Sequence, residues 1–160
     1  MSLSERLVTG MVAGAVGTTM LNFATYLDMA LRGRPPSDVP EKVVDEITDK
    51  LDGSLDEQDD DETAGNRRAA VGALMGLASG VAWGSFYGLV HPAIQRISPA
   101  ARSAGLGMAV MAGNDVPAIA VRATKPTEWG LSGWISDLTP HMIYGIATVA
   151  SYERFAASRV

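Results

Sequence analysis

Charge is missing from long stretches of this 160-residue chain, and that absence limits its folds more than any motif does. Between Arg6 and Asp28 lie 21 uncharged residues, and between Arg68 and His91 lie 22. About 20 apolar residues in a helix span the hydrocarbon core of a bilayer, so both runs predict membrane-crossing helices. A third run, from Arg102 to Arg122, holds 19 residues interrupted by one acid, Asp115; a fourth, from Asp137 to Glu153, holds 15 with His141 among them. Trp134 before the last run and Tyr152 at its end suit the interfacial zone, where amphipathic rings settle. The expected fold is all-α: a four-helix transmembrane bundle with helices over about 6–31, 69–91, 103–122 and 138–156.

Mean hydropathy is only +0.11. The hydrophilic residues are concentrated in 32–68, and elsewhere the value is held down by Gly, Ala, Ser and Thr rather than by charge. A cleavable leader ending at "AGA" (13–15) is a poor reading of the first run, because too few apolar residues precede that site and apolar sequence continues past it.

The second run carries a glycine at every fourth position: Gly72, Gly76, Gly80, Gly84 and Gly88. In water each interior glycine costs a helix about 0.8–1 kcal/mol relative to alanine. In lipid the helix is retained regardless, since exposed peptide groups have no other partners. The missing side chains then let two backbones approach and gain dispersion contacts. A spacing of four follows one ridge row of the helix surface, so the pattern predicts a packing seam of the glycine-zipper kind. Gly10, Gly14 and Gly17 of the first run, with Ala13 beside them, offer a match; Gly105 and Ala109 of the third offer another. The seam serves either packing within one chain or assembly of several copies.

The formal charge of −5 belongs to one place, since six acids lie in "DEQDDDE" (56–62). The rest of the chain is nearly balanced, which gives a nucleic-acid partner no support. The absence of cysteine excludes disulfides and cysteine-ligated metal sites. Pro35, Pro36 and Pro40 end the first helix, and "DVPEKVVDEITDKL" then spaces Val39, Val43, Val44, Ile47 and Leu51 as a short amphipathic helix. Asp38 and Glu41 are placed as in a capping box. The acidic run reads as a solvated linker. With four spans, Arg6, Arg96, Arg102, Arg154 and Arg159 share one side, while Arg32, Arg34, Lys42, Lys50, Arg67, Arg68, Arg122 and Lys125 share the other. The excess places the 32–68 segment in the cytoplasm of a multi-pass plasma-membrane protein.

The same alternation gathers ionisable residues at one membrane side. Asp28 closes the first helix, Asn114 and Asp115 lie in the outer half of the third, and Asp137 and His141 open the fourth. Asn22 and Thr25 lead toward Asp28. An acid inside a span costs about 2.5–3.5 kcal/mol on insertion scales and seeks a partner in the bundle; Asn22, Tyr144 and His141 are the candidates for Asp115. Pro117 frees the Gly113 carbonyl beside it. One reading is structural: Asp28 pairs with Arg32, Asp137 caps the last helix, and His141 bonds a neighbour. The other is a proton or cation site. His91, followed by Pro92, reads as an ordinary helix terminus. No Ser/His/Asp or Cys/His nucleophile arrangement follows from the spacing, so no enzymatic activity, cofactor or metal is predicted.

"AGAVGTTMLNFATYLDMALRGRPPSDVPE" (13–41) and "TKPTEWGLSGWISDLTPHMIYG" (124–145) resemble a group of small uncharacterised actinobacterial integral membrane proteins. More loosely, the early helix ending in Arg and Pro and the late acid-then-histidine segment are similar to the YagU-type inner-membrane family. The resemblance implies an envelope membrane protein and brings no catalytic residues. The expected function is that of a non-enzymatic component that packs with itself or within a larger membrane complex, its first partner the lipid bilayer. The alternative is a proton or cation pathway through Asp115, Asp137 and His141.

Overall fold

A computed structural model describes residues 1–50 and 61–158, and among these every regular element is helical. The order is α1 (Leu3–Arg32), α2 (Val39–Lys50), α3 (Asp61–Ile94), α4 (Pro99–Ala120), a single 3-10 turn (Pro126–Glu128) and α5 (Gly130–Ala157). α1 starts in a capping box, with the Glu5 N–H on the Ser2 hydroxyl at 3.2 Å and the Ser2 N–H on the Glu5 carboxylate at 2.6 Å. It stops at Gly33, whose φ of 63° reverses the chain at little steric cost.

The four long helices run further than the charge-free stretches or stop short of them for local reasons. α3 begins at Asp61 rather than near 69, so Asp61 and Glu62 belong to its first turn, where acids complement the helix dipole, and not to a linker. The rest of the expected linker, 56–60, lies outside the described residues. α4 ends at Ala120, before the expected 122, because Arg122 turns left-handed (φ 66°) while the Ala123 N–H reaches back to the Ala118 carbonyl at 2.8 Å. α5 begins at Gly130 rather than 138, which moves Asp137 and Pro140 into the helix interior. Asp137 therefore does not cap this helix; Pro140 removes only the bond to the Ser136 carbonyl, and the turns on either side persist. Asp38 likewise pairs with Lys42 at 2.7 Å instead of joining Glu41 in a capping box.

α1 packs against both α3 and α5, and α4 packs on the far side of α5. α3 and α4 touch sparsely, through the Ser79 hydroxyl on Asn114 Oδ1 at 2.9 Å and the Trp83 ring over Gly113. Neighbours are antiparallel: Gly10 meets Gly84 and Gly14 meets Gly80. A methyl group placed on Gly14 would stand 2.6 Å from the Gly80 carbonyl oxygen and 2.9 Å from the Gly84 Cα, so this seam is backbone on backbone. Gly17 faces Tyr144 and Thr148 of α5 instead, and Gly88 faces the Arg6 carbonyl and Tyr152. Gly72 packs on Pro40 of α2, where Val44 and Ala64 are also buried. α2 thus rests on the extension of α3.

Two expected seam members are absent from it. Gly76 meets nothing within 4 Å, and Gly105 is likewise open. On α4 the contact falls to Gly107, where a methyl group would stand 2.7 Å from the His141 carbonyl oxygen, opposite Gly145 and its close approach to the Ser103 carbonyl. Glycine spacing marks which helices can approach, whereas the crossing angle decides which glycines do.

The interior is small and polar. Tyr87, Tyr144 and Tyr152 are the largest fully buried side chains and fill the room the glycines leave; Thr9, Thr18, Thr148 and Arg102 are buried with them. Large apolar residues face outward, among them Val12, Phe23 and Leu31 of α1, Leu74 and Phe86 of α3, Val116 of α4 and Leu131 and Ile146 of α5. α1 and α3 are long and apolar enough to cross a membrane; α4 and α5, interrupted by Arg102, Asp115 and Asp137, do not reach that apolar content among the described residues.

The seam predicts different outcomes at two glycines. Gly84→Ala should lower stability by about 1–3 kcal/mol through backbone collision, whereas Gly76→Ala, at an open position, should change it by less than about 0.5 kcal/mol. Thermal unfolding of the detergent-solubilised variants, followed by circular dichroism, checks both.

Candidate functional site

Two polar clusters lie at opposite ends of the bundle, and helix register explains each. At one end the last turns of α1 and the early turns of α5 run side by side. Asp28 Oδ2 accepts from Arg32 Nη2 at 2.6 Å and from Arg34 Nε at 2.5 Å, and the Ser136 hydroxyl donates to it at 3.2 Å. Arg32 continues across to Ser132 at 2.8 Å and to Ser136. Asp28 is therefore the centre of a clasp between α1 and α5, satisfied by two guanidinium groups, and does not open onto the other acids.

The inner group sits between α4 and α5. His141 follows Asp137 by one turn, and its Nδ1 lies 2.7 Å from the Asp137 carbonyl oxygen and 3.3 Å from Asp137 Oδ1. Asp115, half-buried on α4, lies within electrostatic range of Asp137 and His141. Asp137 Oδ2 is buried and has no hydrogen-bond partner. The trio thus has two carboxylates in electrostatic range of each other, a buried open acceptor and an imidazole.

The remaining expected members lie apart. Asn22 is half-buried on α1. Asn114 is exposed and joins Ser79 across the sparse α3–α4 edge. Tyr144 is fully buried, and its hydroxyl donates to the Gly80 carbonyl at 2.6 Å rather than to Asp115. Among the described residues no group of three or more His, Cys, Asp or Glu side chains is arranged to hold a metal ion.

The opposite end holds a cluster that the charge pattern does not single out. Arg102, with its side chain 7% exposed, reaches Glu153 Oε1 at 2.6 Å and donates to the Tyr87 hydroxyl at 3.2 Å. His91 is no bare terminus: its ring lies 4.8 Å from that of Tyr152 and 5.8 Å from that of Tyr87. The Tyr152 hydroxyl donates to the Gly88 carbonyl at 3.4 Å, the group that Pro92 leaves without its helical N–H. The available signal was positional, since Arg102 begins one charge-free run, Glu153 ends the next, and antiparallel helices bring those ends together. An outer groove of about 450 Å³ between α4 and α5, lined by Ala100, Ala104, Met142, Ile146 and Glu153, opens at this end and not at Asp115.

Comparison of the chain with protein-family models, with curated proteins and with solved structures finds no match.

Tyr144 isolates one contribution at the centre of the bundle. Gly80 keeps its helical hydrogen bond when the tyrosine hydroxyl is removed, so Tyr144→Phe should cost only about 1 kcal/mol. A lowered unfolding midpoint with unchanged helix content in circular dichroism is the expected result.

Proposed function

We propose that the protein is a multi-pass integral membrane protein whose Asp115–Asp137–His141 cluster takes up and releases a proton or a cation. The membrane reading is supported by α1 and α3, which are long and apolar enough to cross a bilayer, and by the inverted distribution of side chains around all four long helices. A helix buried in a soluble core would turn Phe23, Leu31, Leu74 and Phe86 inward; here they are exposed while threonine, arginine and histidine lie inside. A leader sequence would not supply the faces on which α3 and α5 both close, as Gly10, Gly14 and Gly17 of α1 do. α4 and α5 join as spans because their polar residues turn toward one another. The charge asymmetry of the connecting segments favours a cytoplasmic 32–68 segment.

One observation carries the site: an acid in a bundle helix lies within electrostatic range of a second acid, which is itself one turn from a histidine. Embedded ionisable residues of this kind mark ion and proton pathways. The reading is that of a non-enzymatic pathway.

A second reading, a packing component of a homo-oligomer or larger membrane assembly, has the outward face of α3 in its favour, where Leu74, Met75 and Leu77 surround the open Gly76. The main seam gives it no support, because Gly10, Gly14, Gly80 and Gly84 are occupied within one chain.

Reconstituted into vesicles, the protein should dissipate an imposed pH or cation gradient, and Asp115→Asn should slow that flux about 100-fold. Wild-type vesicles no leakier than empty ones, or an undiminished Asp115→Asn variant, would sink the site. Recovery of the untagged chain in the soluble fraction, folded and without detergent, would sink the membrane reading.

A further inference from the structure

Where α2 begins beside the turn between α4 and α5, the surface folds into a recess of about 310 Å³. Asp38 and Lys42 line it from one side, and Arg122, Lys125, Glu128 and Trp129 from the other. Four of the five charges cancel in pairs: Lys42 with Asp38 at 2.7 Å, and Lys125 with Glu128 at 3.1 Å. Arg122 is left over. Among the described residues its guanidinium has no hydrogen-bond or ion-pair partner. Its backbone is left-handed, with φ at 66°, a conformation that glycine takes without strain. No other described residue except glycine has a positive φ, and such an outlier points to function.

The recess has one positive charge to spare, and it stands at the head of an apolar strip. Its Trp129 wall is held by the indole N–H on the Thr124 hydroxyl at 2.7 Å and by the Trp134 ring at 5.0 Å. From there Leu131, Trp134, Ile135 and Leu138 follow one face of α5 at helical spacing, all exposed. Paired tryptophans suit the depth of lipid headgroups, so the strip faces acyl chains and the recess lies level with phosphates. A phosphodiester with one negative charge matches the Arg122 guanidinium, whose planar fork binds phosphate oxygens in pairs. Asp38 and Glu128 repel a dianionic phosphomonoester and accept from headgroup hydroxyls. The ammonium of a zwitterionic headgroup would have to displace a lysine from its carboxylate.

We infer that the recess between α2 and the α4–α5 turn binds the headgroup of a phospholipid with one net negative charge. Arg122 takes its phosphate, and an acyl chain lies along Leu131, Trp134, Ile135 and Leu138. Basic recesses at the cytoplasmic ends of spans hold anionic headgroups in this way, and the 32–68 side is the one proposed to face the cytoplasm. The inference rests on the proposed membrane placement and not on the Asp115 site.

The test reads tryptophan fluorescence of the full-length protein in phosphatidylcholine vesicles, with brominated acyl chains on either phosphatidylglycerol or phosphatidylcholine as the quencher. Trp129 and Trp134 are two of its three tryptophans. Brominated phosphatidylglycerol should quench wild-type protein at a mole fraction about fivefold lower than brominated phosphatidylcholine, the worth of one unpaired arginine at an anionic surface. Arg122→Gly, which suits the left-handed backbone and so keeps the fold, should abolish that preference. Lys50→Gln removes one cation from the same membrane side outside the recess and should leave it intact. Equal quenching of wild-type protein by the two lipids, an undiminished preference in Arg122→Gly, or an equal loss in both variants overturns the recess while the membrane placement stands. Recovery of fluorescence on adding excess inorganic phosphate overturns the lipid as occupant in favour of a free anion. No quenching by either lipid overturns the membrane placement as well.

Discussion

The contact that organises the molecule is the one between the backbones of α1 and α3, where Gly10 and Gly14 meet Gly80 and Gly84 without intervening side chains. A methyl group on Gly10, Gly14 or Gly84 would meet main-chain atoms, which cannot rotate away, and one on Gly80 would meet the buried Thr18 side chain. With the two axes this close, little volume remains between them, and the side chains that complete the interior come from α5. Tyr144 and Tyr152 project beside the seam and bond to the Gly80 and Gly88 carbonyls, two positions eight residues apart on each helix. The core is thus built from missing side chains on α1 and α3 and from large hydroxylated rings, Tyr144 and Tyr152 from α5 and Tyr87 from α3 itself.

That arrangement sets where charge can be tolerated. A bundle held by glycine contact and tyrosine hydroxyls has an interior with hydrogen-bonding character along its length, and it can house Arg102, His141 and three threonines. The acids and bases then sort by end. Asp28 is spent on Arg32 and Arg34, clasping α1 to α5, while Asp115 and Asp137 confront each other with no arginine in the contact. Two acids in similar helical surroundings are therefore given different chemistry by whether a guanidinium reaches them.

Much of this was legible in the sequence, and the misses have physical causes. Charge-free runs located four long helices, and glycine spacing identified the α1 and α3 faces that meet. Helix ends were less legible because charge marks the apolar stretch and not the hydrogen-bonded one: α3 extends back through Asp61 and α5 back to Gly130, well outside their apolar cores. Gly76 shows that a member of a repeat can lie open while its neighbours are packed. The Asp137–His141 pair follows from a four-residue spacing on one helix, and its meeting with Asp115 from the alternation of helix directions. Arg102 with Glu153 is the same kind of pairing, but each residue also looked like an ordinary boundary charge, and nothing local said that the boundary was buried.

The sparse edge between α3 and α4 divides the bundle unequally. α4 is held almost wholly by α5, through Gly107, Gly145 and the Arg102–Glu153 pair, while α5 is held by α1. During synthesis α1 and α3 can close their seam as soon as both have emerged, since neither needs later sequence. α4 emerges next with almost no surface to receive it, and it settles only when α5 arrives to bridge it to α1. The chain is accordingly two hairpins in order of assembly, and the acidic pair comes into existence with the closing of the second.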